Sequence, residues 1–342
     1  MTGHYSKGPG APSVPAAPRP PVDSRFSKDG SDGKIEVLGV ISLLTLEAEA
    51  MMKRRDFLRS ATMAGGAAAV NLDRFPHHLF AAATKKYAQD IVTLGNTGIR
   101  LSRLAQGTGT RGFARTSNQT RKLGIQGVAE LLRAGVDQGL TFWDGADSYG
   151  SHPHIREALT AVKREKVVIM TKSWADTEIQ MKSDIERFRQ ELNTDYIDIL
   201  LLHCMMDAEW PEKKKGAMAA VSEAKARGIV RTHGVSCHDL GALRTAAATD
   251  WVEVDLVRLN PAGAYMDADP ATVLPIVKQM KTRGKGIIGM KILGQGQLRD
   301  KADEALQFAL AQDVLDCFTI GAESIAEMQD LVKRIPEASV RA

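Results

Sequence analysis

From about residue 84 onward the chain alternates between two rhythms. Continuous apolar runs stand at 102–108 (SRLAQGT), 140–144 (LTFWD), 167–172 (VVIMTK), 196–203 (YIDILLLH), 229–236 (IVRTHGVS), 255–260 (DLVRLN), 286–291 (GIIGMK) and 317–321 (CFTIG). Between them, stretches such as 127–139, 183–192, 213–228, 272–284 and 302–312 carry apolar residues three and four apart, the spacing of one helix face. Continuous apolar strands are buried on both faces, and strand–helix alternation implies a parallel sheet. Eight such units predict an α/β fold of the closed (β/α)8 TIM-barrel type. Ahead of the first run, IVTLGNTGIRL sets two short alternating stretches around Gly95–Gly98 and predicts a β-hairpin. Such a hairpin would close the bottom of the barrel and leave the C-terminal mouth for chemistry.

The first fifty residues break this pattern. They open on a stretch rich in Pro, Gly and Ser, with too few large apolar side chains to offset the entropy of ordering, and are expected to form a disordered leader. Residues 51–83 differ again: Arg54 and Arg55 precede Phe57 and Leu58, then come the weakly hydrophobic ATMAGGAAAV and Ala81–Ala83. This segment resembles a twin-arginine export signal with its basic, apolar and cleavage regions. A signal of that kind belongs at an N-terminus, so the natural start is expected at Met51 or Met52, with 1–50 arising from a misassigned start. Twin-arginine export machinery is then an expected partner, and the exported, periplasmic side the expected location. No run is long enough for a stable membrane span. Residues 84–342 form the expected barrel domain.

The formal net charge of +4 is small and dispersed, which points away from nucleic acid. Cys204, Cys237 and Cys317 are too far apart for a disulfide framework, a zinc site or an iron–sulfur cluster.

In a barrel of this type chemistry comes from the C-terminal strand ends. Strand two ends in Asp144 within TFWDGADSYG, and Tyr149 follows in its loop; strand three ends in Lys172 and strand four in His203. Each alone has a plainer reading, as a turn cap, a solvated lysine or a core histidine. Together they make a carbonyl chemistry. A ketone accepting hydride needs a proton from a positioned acid. A phenol can serve if an ammonium lowers its pKa towards neutrality and a carboxylate anchors that ammonium. Tyr149 is then the acid, Lys172 its tuner, Asp144 the anchor, and His203 the partner that orients and polarises the carbonyl oxygen.

This ordered set resembles the aldo-keto reductases, through LGNTGIRLSRLAQGT, TFWDGADSYG, REKVVIMTK, LNTDYIDILLLHC and GIVRTHGVSCHD, with a weaker match at FTIGAESIAEMQDLV. It covers residues 91–334. The resemblance implies an NAD(P)H-dependent oxidoreductase, with the nicotinamide cofactor across the barrel top and no Rossmann fingerprint. It implies cofactor contacts at Gly107 and Thr108 after strand one, and at Ser236 and Cys237 after strand five, where Cys237 weakens an amide contact that His238 could share. Met290 or Lys291 stands where an aromatic ring commonly stacks. Gly321 and Ala322 lead into a helix whose N-terminus can receive a phosphate. Glu323 and Glu327 are expected to lie there with little positive charge nearby, which leans the preference towards NADH. The substrate is expected to be a small-molecule carbonyl or sugar in an open site, with Trp143, Trp174, Tyr265, His152 and His154 as candidate walls. The competing expectation is a barrel that binds the nucleotide, or senses it, without turnover.

Overall fold

The computed structural model describes residues 85–339; the expected leader and export segments lie outside the described residues. Eight parallel strands close a barrel: β3 (Leu104–Gly107), β4 (Phe142–Asp144), β5 (Val168–Ser173), β6 (Ile197–Met205), β7 (Val230–Cys237), β8 (Val254–Arg258), β9 (Gly286–Met290) and β10 (Cys317–Ile320). All eight match the apolar runs of the sequence. Alternate residues of each strand split between two layers, which is why the runs are continuous. Phe142, Met170, Ile199, Leu201, Leu256 and Ile288 fill the interior, whereas Trp143 and Ile169 meet the first helices and Leu200, Val235 and Val257 meet later ones.

The hairpin is present as β1 (Ile91–Thr93) and β2 (Arg100–Ser102), antiparallel with Val92 opposite Leu101. Its Leu94, Ile99 and Leu101 join the interior cluster. Each such burial contributes about 1.5–3 kcal/mol. Backbone bonds from Asn96 N to Gly284 O (2.8 Å) and from Gly95 N to the Asp316 carboxylate (3.1 Å) fasten it to the bottom of the barrel.

The helices are α1 (Asn118–Asp137), α2 (His152–Leu159), α3 (Glu178–Leu192), α4 (Trp210–Lys213), α5 (Lys215–Ala226), α6 (Leu240–Ala248), α7 (Pro270–Thr282), α8 (Ala302–Ala311) and α9 (Ile325–Ala338). Helix α1 starts earlier than its apolar rhythm indicates. Ser117 caps it in a reciprocal pair with Thr120, and Gly124, at φ 64° and ψ −174°, breaks the path into two. Helix α2 carries no clear apolar rhythm because His152 and His154 supply half of its buried face beside Ile155 and Ala158. Among the described residues no helix is long and apolar enough to cross a membrane.

Candidate active site

Three strand ends and one turn bring the four candidate residues together. Asp144 closes β4, and the chain then folds into a 3-10 turn, Asp147–Tyr149, which lays the phenol ring over the mouth. Lys172 lies on β5, fully buried, with its ammonium 4.7 Å from the Tyr149 ring centre. It donates to an Asp144 carboxylate oxygen and, at 2.8 Å, to the Gly145 carbonyl. The other Asp144 oxygen accepts from Thr319 Oγ1 at 2.8 Å. A buried charge is tolerable only when paired and hydrogen-bonded in this way.

His203 is placed by an irregularity the sequence does not announce. Strand β6 runs two residues past it, through a bulge between Leu202 and Met205, with Cys204 at φ 64°. The imidazole stands edge-on to Tyr149, centroids 5.7 Å apart, and 5.1 Å from Trp174. Its Nδ1 meets Ser148 Oγ at 3.3 Å.

The electrostatics assign a resting protonation state. Burial pulls the Lys172 pKa down, but Asp144 and Tyr149 together outweigh it, so the shift is upward and the ammonium stays charged. Burial of His203, reinforced by the cations Lys172 and Lys291, holds its pKa well below the ordinary value, and the ring is neutral at pH 7. For Tyr149 the structure corrects the expectation of a lowered pKa. Burial pushes the phenol up more than Lys172 pulls it down, and Asp144 adds to the rise. Tyr149 therefore rests as the acid.

The loop after β3 lies against the ring of this partly buried side chain. A Cβ on Gly109 would fall 2.3 Å from the Tyr149 ring, and one on Gly112 equally 2.3 Å from its other edge. Only glycines let the backbone lie so close. Arg111, Ala114 and Arg115 in the same loop take positive φ, at 51°, 50° and 58°. Sequence reasoning missed both glycines, although TGTRG directly behind the first strand was the available signal.

The expected cofactor contacts divide. Gly107 and Gly321 meet where β3 and β10 end: a Cβ on Gly107 would lie 3.1 Å from Gly321 N, and one on Gly321 2.4 Å from Thr110 Oγ1. Gln119, fully buried and absent from the sequence reading, ties this corner together by donating to Thr110 Oγ1 (2.8 Å), Gly107 O (3.3 Å) and Ala322 O (3.2 Å). Thr108 donates from backbone and side chain to Asp144 O. Ser236 Oγ accepts from Cys204 N at 2.8 Å. Met290 ends β9 among the interior residues, and Lys291 follows at φ 59°, its pKa lowered by burial and by Arg258.

Three expectations are corrected. Cys237 belongs to the outer layer with Val235, Ala242 and Leu243, its thiol pushed well up by burial and by Asp255, so this side chain does not face the mouth. The Glu323 carboxylate is not free of positive charge: Lys122 forms an ion pair with it, Asn118 donates to it at 2.7 Å, and Arg299 lies within electrostatic reach. Glu327 turns back to accept from Glu323 N at 2.8 Å, while its own N–H goes to the Ser324 cap. Finally, Trp143 faces α1 and α2, and His152 bridges Glu191 and Thr171 at 2.7 Å each, so neither forms a substrate wall. His154 is also buried, on α2. Trp174 and Tyr265 are exposed, at 44% and 50%.

A plugged parallel barrel whose open mouth gathers a carboxylate, an ammonium, a phenol and a neutral imidazole defines an acid–base barrel site. The chain belongs to the Aldo/keto reductase family, whose model matches residues 107–337. It is 27% identical over 176 residues to the aldo-keto reductase YhdN of Bacillus subtilis (strain 168), covering 46% of this chain and 50% of that one. It is 36% identical over 110 residues to the methylglyoxal reductase YeaE of Escherichia coli (strain K12), covering 31% and 37%. The chain thus spans half or less of these two curated relatives. A longer, weaker match, 21% over 291 residues, joins 72% of this chain to 88% of the L-galactose dehydrogenase of Arabidopsis thaliana. Among solved structures, a Pseudomonas aeruginosa aldo-keto reductase superposes with TM-score 0.62 at 20% identity, over 76% of this chain and 99% of its own.

Proposed function

We propose that this protein is an NAD(P)H-dependent oxidoreductase that interconverts a carbonyl compound and its alcohol, with Tyr149 as general acid and base. The observation that carries the reading is the buried Asp144–Lys172 pair set against the Tyr149 ring, with neutral His203 at its edge. In reduction Tyr149 gives its proton to the developing alkoxide, and charged Lys172 stabilises the phenolate left behind. Asp144 and Gly145 O hold the ammonium in place. His203, held at Nδ1 by Ser148 and edge-on to Tyr149, is the partner for the carbonyl oxygen. A bound nicotinamide supplies the hydride in this direction and accepts it in the other.

The residues present fit such a cofactor. The glycine corner at Gly107 and Gly321 lets the ends of β3 and β10 close on each other at the barrel mouth, where a side chain at either would strike Thr319 or Thr110. Thr108, Ser236, Met290 and Lys291 stand at the C-terminal ends of β3, β7 and β9, Ala322 follows β10, and Glu327 lies at the start of α9. We propose NADH as the preferred form. Lys122 is committed to the Glu323 carboxylate and Arg121 to Asn118, so neither cation stands free to receive a 2'-phosphate. The substrate class is a small aldehyde, ketone or sugar, in line with the names of the methylglyoxal- and aldose-acting relatives. Exposed Trp174, 5.1 Å from His203, offers an apolar face beside the site, and exposed Tyr265 stands in the loop after β8.

Tyr149→Phe tests the mechanism. Turnover of methylglyoxal or glyceraldehyde falls by about 100–10,000-fold while NADH affinity holds. Unchanged turnover refutes the mechanism, and cofactor binding without turnover in the wild type favours the nucleotide-binding or sensory barrel. Tighter binding of NADPH than NADH in the same titration overturns the cofactor preference.

On sequence grounds we also propose twin-arginine export to the periplasm, resting on Arg54, Arg55 and the small-residue stretch that follows. Replacing both arginines by lysine is expected to retain the protein in the cytoplasmic fraction; unchanged fractionation refutes it.

A further inference from the structure

Helix α3 carries Asp184, Arg187 and Glu191 on one face, at spacings of three and four residues. Arg187 is the hub. Its Nη1 donates to Asp147 Oδ1 at 2.7 Å and to Glu191 Oε1 at 3.1 Å, and its Nη2 to Asp184 Oδ1 at 2.7 Å. Each of these carboxylates leads to a segment that bears a candidate catalytic side chain. Asp147 opens the turn that ends in Tyr149. Asp184 Oδ2 accepts from Ser173 Oγ at 2.5 Å, and Glu191 Oε2 reaches Thr171 through His152, with both steps at 2.7 Å. Thr171 and Ser173 are the two neighbours of Lys172.

Arg115 adds a second guanidinium, 3.1 Å from Asp147 Oδ1 and 2.9 Å from Glu191 Oε1, from the loop that covers the Tyr149 ring. The cluster's Asp147, His152 and Glu191 lie close enough to one another to hold a metal ion. Two guanidiniums already occupy the carboxylates, so arginine, not a cation from solution, fills that position.

We propose that Arg187 is a positioning residue of the active site, fixing the distance between the Tyr149 turn and the Lys172 strand from behind. This rests on the functional reading above for its kinetic consequence, though not for its geometry. A planar guanidinium bonded at once to Asp147 of the Tyr149 turn and to Asp184 and Glu191 of its own helix, the two carboxylates that lead to the Lys172 strand, sets their separation in a way a lysine cannot. Hydrogen bonds keep the cluster charged against its partial burial: burial alone would raise Glu191, but bonds from His152 and Arg115 bring it down to about 2. Phenol and ammonium act as a unit only at close range, and a displacement of about 1 Å costs on the order of 100-fold in rate.

The test compares Arg187→Met, Arg187→Lys and Asp147→Asn with the wild type, well below their unfolding temperatures. Arg187→Met is expected to lower kcat for methylglyoxal reduction by about 10–100-fold while the Kd for NADH changes by less than about twofold. The Tyr149 titration, read as tyrosinate ultraviolet absorbance by difference from Tyr149→Phe, moves to higher pH as Lys172 loosens. Arg187→Lys restores a single pair and falls between. A purely structural role lowers Tm but leaves both kcat and the titration within about twofold of wild type, and that result overturns the proposal. If Arg187→Met does not fold, Arg187→Lys and Asp147→Asn decide by the same two readouts. A wild type that reduces neither methylglyoxal nor glyceraldehyde refutes the functional reading alone, and the Tyr149 titration still decides the positioning role.

Discussion

Two buried carboxylates on barrel strands are treated in opposite ways. Asp144, at the mouth end of β4, has every oxygen engaged, with Lys172 on one side and Thr319 on the other. Asp255, on β8 and turned towards the helices, is completely buried, and neither oxygen has a hydrogen-bond partner within ordinary geometry. Burial, with Asp267 nearby, lifts its pKa to about 7. A carboxylate removed from water must find a cation or keep its proton. Asp144 takes the first course, and Asp255 the second at pH values below about 7.

The largest test of this contrast removes the charge from the paired side. Asp144→Ala strands the Lys172 ammonium in the core, and about 3–5 kcal/mol of stability is expected to go, read by chemical denaturation. A loss under about 1 kcal/mol would mean that Gly145 O and Tyr149 suffice for the lysine. Next, Gly112→Ala presses a methyl against the Tyr149 ring. It is expected to cut kcat on the order of 100-fold with Tm little changed, since the loop can lift where the paired core cannot. An unaffected kcat would show that the ring moves freely beneath the loop.

At Asp255 the effect is expected only at higher pH. Its folded-state pKa is raised from the ordinary 3.8 to about 7, so its contribution to stability is full below pH 3.8 and is lost as the pH climbs through 7. Asp255→Asn should therefore raise Tm by several degrees at pH 8 and leave it unchanged near pH 4. A Tm gain that is equal at both pH values would place the effect in packing, not in protonation.

The barrel was legible because its strands are buried on both faces: LTFWD and YIDILLLH announce themselves without any help from tertiary structure. Asp144, Lys172 and His203 were legible for the same reason, as polar residues that end apolar runs. What escaped depended on side-chain direction and on contacts far apart in sequence. Cys237 follows Ser236 directly, yet adjacent strand residues face opposite ways, so only one of the pair can look into the mouth. His152 reads as a candidate substrate wall until α3 brings Glu191 beneath it. The Tyr149 pKa was misjudged because Lys172 is visible in the sequence, whereas the loop that dries the phenol is visible only when Gly109 and Gly112 are seen against the ring.

That glycine-lined loop leaves the two directions of the proposed reaction unequal. Tyr149 arrives at each reduction with its proton already loaded, and the forward rate should be flat across neutral pH. Oxidation must first strip a proton from a phenol held above its ordinary value, so it should gain about tenfold for each unit of alkalinity up to that raised pKa. Two glycines without side chains thereby help set the pH range over which each direction responds to protonation, through how closely backbone lies against a ring.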